Sequence, residues 1–145
     1  MFKRILVPID GPPSSIQPLR TAIELARVNH GSIVVLSVAS PRLYNGQDAD
    51  ALADGARAEE KNRAAATNLM TDIMTFANAE AVDYETVVVQ SASPHTEILK
   101  ASVRYRCDAI FMGVRRRQGL MERIFEQNIT HAVLEQAPVP VLVLP

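Results

Sequence analysis

Cysteine occurs once in this chain of 145 residues, as Cys107. A single thiol excludes an internal disulfide and fits a reducing compartment. Long apolar runs are also missing. The run after Lys3 and Arg4 is broken by Pro8 and Asp10, so it is too short for a signal core or a membrane span. A cytoplasmic protein without membrane attachment is expected. Charge of one sign is lacking: 15 Lys and Arg against 16 Asp and Glu leave a formal net charge of -1. That balance offers no electrostatic basis for nucleic-acid binding. His30, His95 and His131 stand far apart and show no metal-ligand spacing, so no metal is expected. Nor is there a Ser/His/Asp, Cys/His or paired-carboxylate arrangement. No catalytic residue is assigned, and no enzyme activity is expected. No repeat, low-complexity segment or linker divides residues 1–145, which read as one domain.

What is present is an ordinary globular balance, 48% hydrophobic and 21% charged, enough for a proper core. Ile5-Leu6-Val7-Pro8-Ile9 is apolar without polar alternation, which suits a strand buried on both faces. Asp10-Gly11-Pro12-Pro13 ends it, and Ser14 or Ser15 can cap the helix that follows. There Ile16, Leu19, Ile23 and Ala26 make one apolar face. Asn29-His30-Gly31 closes the helix, with Gly31 suited to a left-handed position. Ile33 to Val38 is a second buried strand, stopped by Ser40-Pro41. Arg42 to about Gly55 reads as a loop, with helix character confined to Asp48–Ala53.

From Ala56 to Ala79 the chain reads as helix, with Ala66, Leu69, Ile73 and Phe76 inward. Tyr84 to Val89 is a third strand. Ser93-Pro94 opens a third helix with Pro94 near its first position, and Ile98, Ala101 and Tyr105 face inward. Asp108 to Met112 is the fourth strand, a last helix runs to about Gln136, and Val139 to Leu144 is the fifth strand. Strands alternating with helices predict an α/β domain, a parallel sheet with helices on both faces and right-handed crossovers.

The stretch Met112–Thr130 concentrates the chemistry. An apolar run ends at Gly113, and Arg115, Arg116, Arg117 and Gly119 follow before the last helix. A strand, a glycine turn and a helix start form a standard anion cradle. The three arginines have two readings. They are a solvated turn paired with local carboxylates such as Glu122, or a guanidinium clamp on phosphate. Asp10 reads as a base, a ribose contact or a turn residue bonding its own backbone.

These segments together resemble the universal stress protein family over essentially the whole chain. Ile5–Gly11 looks like the opening strand with its terminal aspartate, Cys107–Gly113 like the fourth strand, and Ala137–Val143 like the usual ending. The resemblance implies an open, Rossmann-like sheet of the adenine nucleotide alpha hydrolase type, in the order 3-2-1-4-5. Strands 1 and 4 then meet at the topological switch point, where such sheets bind ligands. The residues it places there are Pro8, Ile9, Asp10, Val38, Met112, Gly113, Arg115, Arg116, Arg117, Gly119, Glu126 and Gln127.

The chain departs from the family's nucleotide-binding pattern of Gly, two residues, Gly, nine residues, then Gly and Ser or Thr. Gly113 is kept, but Arg116, Glu126 and Gln127 occupy the other three positions. Arg116 brings a Cβ and a long side chain to a place where glycine lets backbone approach phosphate. Glu126 sets a carboxylate near the phosphate position; at ~4 Å like charges repel by about 1–4 kcal/mol. Glu126 and Gln127 also favour helix, so the last helix is expected to begin before Glu126, near Gly119.

Three functions compete. The first is a dimeric stress-response protein acting through an unidentified protein partner, with no required cofactor and no canonical ATP binding. The second is an ATP- or AMP-binding regulator in which the arginines compensate for the lost glycines. The third is a phosphate-chemistry enzyme using Asp10. Under the first, ATP or AMP is at most a weak ligand. The apolar final strand predicts the homodimer interface at Val139, Val141, Leu142 and Val143, because an unpaired sheet edge invites a second strand.

Overall fold

A computed structural model describes residues 1–9, 15–39, 49–114 and 120–145, leaving out the side chains of 49–54, 58–59, 61–63, 65–66, 69 and 120–127. The elements run β1 (Arg4–Ile9), α1 (Ile16–Asn29), β2 (Ser32–Ala39), α2 (Ala49–Ala79), β3 (Asp83–Gln90), α3 (Pro94–Arg104), β4 (Ala109–Gly113), α4 (Leu120–Gln136) and β5 (Val141–Leu144). All strand pairs are parallel, in the order β3-β2-β1-β4-β5. This is the doubly wound sheet that the alternation predicts.

The continuous apolar strands separate into two cores because successive side chains point to opposite faces. On one face Ile5, Val7, Ile33, Val35, Ala109 and Phe111 pack with Leu19, Ala22, Ile23 and Ala26 of α1 and Ile73 and Ala77 of α2. On the other, Leu6, Val34, Leu36, Ile110 and Met112 pack with Ile98 and Ala101 of α3 and Val133 of α4. Both faces are therefore covered, and the central strands carry no polar alternation.

Several local expectations need correction. Ile16 is 40% exposed; as the first helical residue it lies beyond the packed part of α1. Ser15 stands at the N-cap position in αR conformation without a side-chain cap bond; Ser14 lies outside the described residues. The left-handed residue that ends α1 is His30 (φ 52°), not Gly31. Gly31 is required for a different reason: a Cβ there would sit 2.5 Å from the Lys3 carbonyl oxygen. Helix α2 begins at Ala49 instead of after the glycine at 55, and runs 31 residues. One glycine costs a helix only about 1 kcal/mol, and the alanine-rich flanks outweigh it. Ala77 belongs to the buried face of α2, while Ala66 and Leu69 fall among the side chains left out. Tyr105 follows the end of α3 and is half-buried against the second core. Strand β5 starts at Val141, two residues later than expected, since Pro138 and Pro140 lack ladder donors.

Candidate functional site

The expected site lies at the carboxyl ends of β1, β2 and β4. Its described members are Pro8, Ile9, Val38, Met112 and Gly113; Asp10, Arg115, Arg116, Arg117 and Gly119 lie outside the described residues. Glu126 and Gln127 are within α4, with their side chains left out.

The backbone at this edge has a defined directionality. Alternate residues of a parallel strand turn their N–H and C=O groups to opposite neighbours. The Lys3 carbonyl accepts from the Ser32 N–H, on the β2 side. Arg4, Leu6 and Pro8 therefore face β4. On β4, the N–H groups of Ile110 and Val114 donate to the carbonyls of Pro140 and Leu144, towards β5. Phe111 and Gly113 therefore face β1.

Between β1 and β2 the ladder runs from Arg4↔Ser32 to Ile9↔Ser37. Between β1 and β4 it covers only Ile5↔Ala109 and Leu6↔Ile110. The registers that would come next are Val7/Phe111, Pro8/Met112 and Ile9/Gly113. The structure thus brings Pro8, Ile9, Met112 and Gly113 together at the carboxyl ends of two neighbouring strands. Val38 lies one strand away, next to last in β2, and packs on the α3/α4 side. Ile9 and Met112 are core side chains, 7% and 6% exposed, so any part they take in a crevice is through backbone. Gly113 is the last residue of β4 and pairs with Leu144, which places it in the sheet instead of after it.

Sequence reasoning did not consider that Pro8, inside a buried central strand, has no N–H to offer β4. Also unforeseen is a hydroxyl cluster on the same edge. The Ser93 Oγ lies 2.7 Å from the Thr96 Oγ1 and 3.5 Å from the His95 Nδ1, and the Ser93 N–H donates to the Ser91 Oγ.

The opposite edge is a structural clasp. The Arg4 Nε donates to the Tyr105 carbonyl at 2.7 Å, Nη1 to the Ser32 Oγ at 3.1 Å, and Nη2 to Glu85 at 2.7 Å. The Asp108 carboxylate accepts the Lys3 and Arg4 backbone N–H groups at 2.8 and 3.2 Å. Beside this clasp Cys107 is buried, and burial pushes its thiol up to about 11 despite the nearby Arg4 charge. A thiol so protonated at neutral pH is a poor nucleophile. Among the described residues no group of His, Cys, Asp or Glu is placed to hold a metal. No described helix is long and apolar enough to cross a membrane.

The order 3-2-1-4-5 agrees with what the sequence resembles, and a family match decides it. The universal stress protein family model matches residues 1–145. The chain belongs to the universal stress protein family. Among solved structures, a universal stress protein family member from Burkholderia pseudomallei is 24% identical, with 99% of this chain and 96% of that one covered and a TM-score of 0.70. Universal stress protein UspA from Lactobacillus plantarum is 18% identical, with coverage of 99% and 98% and a TM-score of 0.73. A family protein from Arabidopsis thaliana, solved with AMP bound, is 16% identical, with coverage of 98% and 90% and a TM-score of 0.68. At these identities the likeness is one of fold. No curated protein matches the chain. As a universal stress protein, it has β1 and β4 as neighbours in the middle of its sheet.

Proposed function

We propose that this universal stress protein is a non-enzymatic stress-response regulator that acts as a homodimer through protein contacts, and that its crevice does not take ATP in the pose of the family's nucleotide-binding branch. One observation carries the second half: α4 begins at Leu120. Glu126 and Gln127, at the pattern's last glycine and its Ser/Thr, are therefore the seventh and eighth residues of a helix. Only residues 114–119 connect β4 to α4. A loop of six residues leaves little backbone to wrap three phosphates. Inside a helix, moreover, amide groups bond to the preceding turn and cannot be offered to a ligand.

A smaller ligand needs less of that loop. A nucleoside monophosphate presents one phosphate, and AMP is the ligand of one structural neighbour. The switch point between the ends of β1 and β4, where open α/β sheets bind ligands, supports weak AMP-type binding as a secondary property. Calorimetry with ATP and Mg²⁺, and separately with AMP, tests this on the native protein and on the triple variant Arg116→Gly, Glu126→Gly, Gln127→Ser. The expected result is no low-micromolar ATP binding by the native protein and a gain in the variant. Low-micromolar ATP binding by the native protein would overturn the reading and favour the arginine clamp. Failure of the variant to gain binding would move the cause away from the loop.

A further inference from the structure

The sheet has a second outer strand, β3, at the opposite end of the strand order from β5. Its eight residues keep an unbroken register with β2, from Ser32↔Asp83 to Ala39↔Gln90. The Ser91 N–H donates to the Ala39 carbonyl, on the β2 side. Alternation therefore turns the N–H and C=O groups of Tyr84, Thr86, Val88 and Gln90 outward. None of the four is proline, and among the described residues no hydrogen bond reaches these outward groups. Sheet edges are commonly blunted by short length, proline, lysine or a bulge. Strand β5 has four residues, with Pro138 and Pro140 before it. Strand β3 has none of these devices. The carboxylate nearest its apolar stretch, Glu85, is drawn back across the sheet to Arg4 at 2.7 Å. What remains at the edge is Thr86-Val87-Val88-Val89-Gln90, with Val88 69% exposed.

We propose that this edge pairs antiparallel with the β3 edge of a second copy of the chain, about a two-fold axis at Val87. The distribution of charge selects that occupant and that direction. Asp83 and Glu85 both lie at the amino end of the strand. A parallel copy in register would set each carboxylate beside its own image, which is unfavourable. An antiparallel copy carries them to opposite ends of the shared ribbon, with Glu85 opposite Val89 and Asp83 opposite Ser91. Thr86 then stands opposite Val88 as a β-branched pair, Tyr84 stands opposite Gln90, and all four outward residues gain backbone bonds. Because β3 and β5 are opposite edges of the sheet, this pairing stands apart from the homodimer proposed above and neither requires nor blocks it. A contact made by edge strands alone falls at the weak end of interfaces, below roughly 1,200 Å² in total, so it forms as protein concentration rises.

The test is amide hydrogen exchange followed by NMR at about 20 µM and about 1 mM protein, on the native chain and on two variants. Val88→Pro removes one outward N–H and leaves every bond to β2 in place. Val88→Lys installs a charge of the kind that guards other edges, and serves should proline prevent folding. Chemical shifts of the β2 amides establish that each variant keeps the sheet. In the native protein the amides of Tyr84, Thr86, Val88 and Gln90 are expected to exchange about threefold or more slowly at the higher concentration. A folded variant is expected to lose that dependence at Tyr84, Thr86 and Gln90. The Val141 and Val143 amides in the same spectra read the β5 edge separately, so failure of the homodimer and failure of this pairing are distinguishable. Edge amides that exchange at one rate at both concentrations in the native protein would overturn the pairing and leave the edge to a strand from another protein. Concentration-dependent protection that persists in both folded variants would overturn it as well, because the contact would then lie elsewhere.

Discussion

Of the four described non-glycine residues in the left-handed region that usually selects glycine, three close helices. His30, Ala81 and Arg106 have φ of 52°, 55° and 53°. Each follows the end of a helix, and the next residue's N–H reaches back: Gly31 to the Ala26 carbonyl at 2.8 Å, Val82 to Ala77 at 3.0 Å, and Cys107 to Ser102 at 2.9 Å. These are helix terminations of the Schellman type made without glycine. A left-handed L-residue costs roughly 1–2 kcal/mol, and glycine returns about 0.5–1 of that as extra freedom in the unfolded chain. Ala81→Gly is therefore expected to stabilise the fold by about 0.5–1 kcal/mol, read as a higher urea midpoint with unchanged slope. An unchanged or lower midpoint would mean that the conformation carries no strain. Gly31→Ala should do the opposite, by about 1–3 kcal/mol, because its Cβ meets backbone that cannot move aside. The sequence motif Asn29-His30-Gly31 correctly announces a helix end. It cannot say which residue turns left-handed, because the position of Lys3 beneath Gly31 comes from a distant strand.

At the scale of elements, Arg4 joins four of them at the amino edge of the sheet. From β1 it reaches Ser32 on β2, Glu85 on β3 and the Tyr105 carbonyl just after α3. The ion pair is half exposed and worth at most about 1 kcal/mol, so the planar fork on the carbonyl and hydroxyl matters more. Arg4→Lys keeps the charge but has no second arm. A loss of about 1–2 kcal/mol is expected, close to that of Arg4→Ala, in thermal or urea unfolding. If Arg4→Lys unfolds like the native protein, charge alone suffices and the fork is irrelevant. Sequence reading had Arg4 only as a charge before a strand, since its partners are 28, 81 and 101 residues away. Helix α2 illustrates the same limit from the other side. At 1.5 Å per residue its 31 residues span about 46 Å, against about 26 Å for an eight-residue strand. Among its described side chains the buried ones, Ile73 and Ala77, lie near its carboxyl end.

At the scale of the whole molecule, β5 is an outer strand of the sheet. The carbonyls of Pro140 and Leu144 accept from β4, so alternation turns the backbone of Val141 and Val143 outward. Val139 precedes the strand and packs with Val141 on the α3/α4 core, while Leu142 is 40% exposed on the other side. An antiparallel pairing of two such edges about a two-fold axis would use the outward Val141 and Val143 groups and cover Leu142. Val143→Pro removes one outward donor without touching the β4 ladder, and Leu142→Lys places a charge on the exposed apolar position. Each is expected to shift the protein from two chains to one in sedimentation equilibrium while leaving its circular dichroism unchanged. A native protein already sedimenting as one chain, or variants that stay dimeric, would remove β5 as the interface.

Fold class and the approximate order of elements follow from patterning alone. Uninterrupted β-branched runs, amphipathic helices and glycine or proline stops are local properties, and each is read within a few residues. The residue types at Arg116, Glu126 and Gln127 are local as well and are read directly from the sequence. Which strands are neighbours is not local. Only the folded sheet sets Ile5 opposite Ala109 and Leu6 opposite Ile110, over a hundred residues away, and so makes the switch point. The same holds for Gly31 over Lys3 and for Arg4 among its partners. In each case the residue's meaning depends on which backbone stands across from it, and long-range pairing decides that.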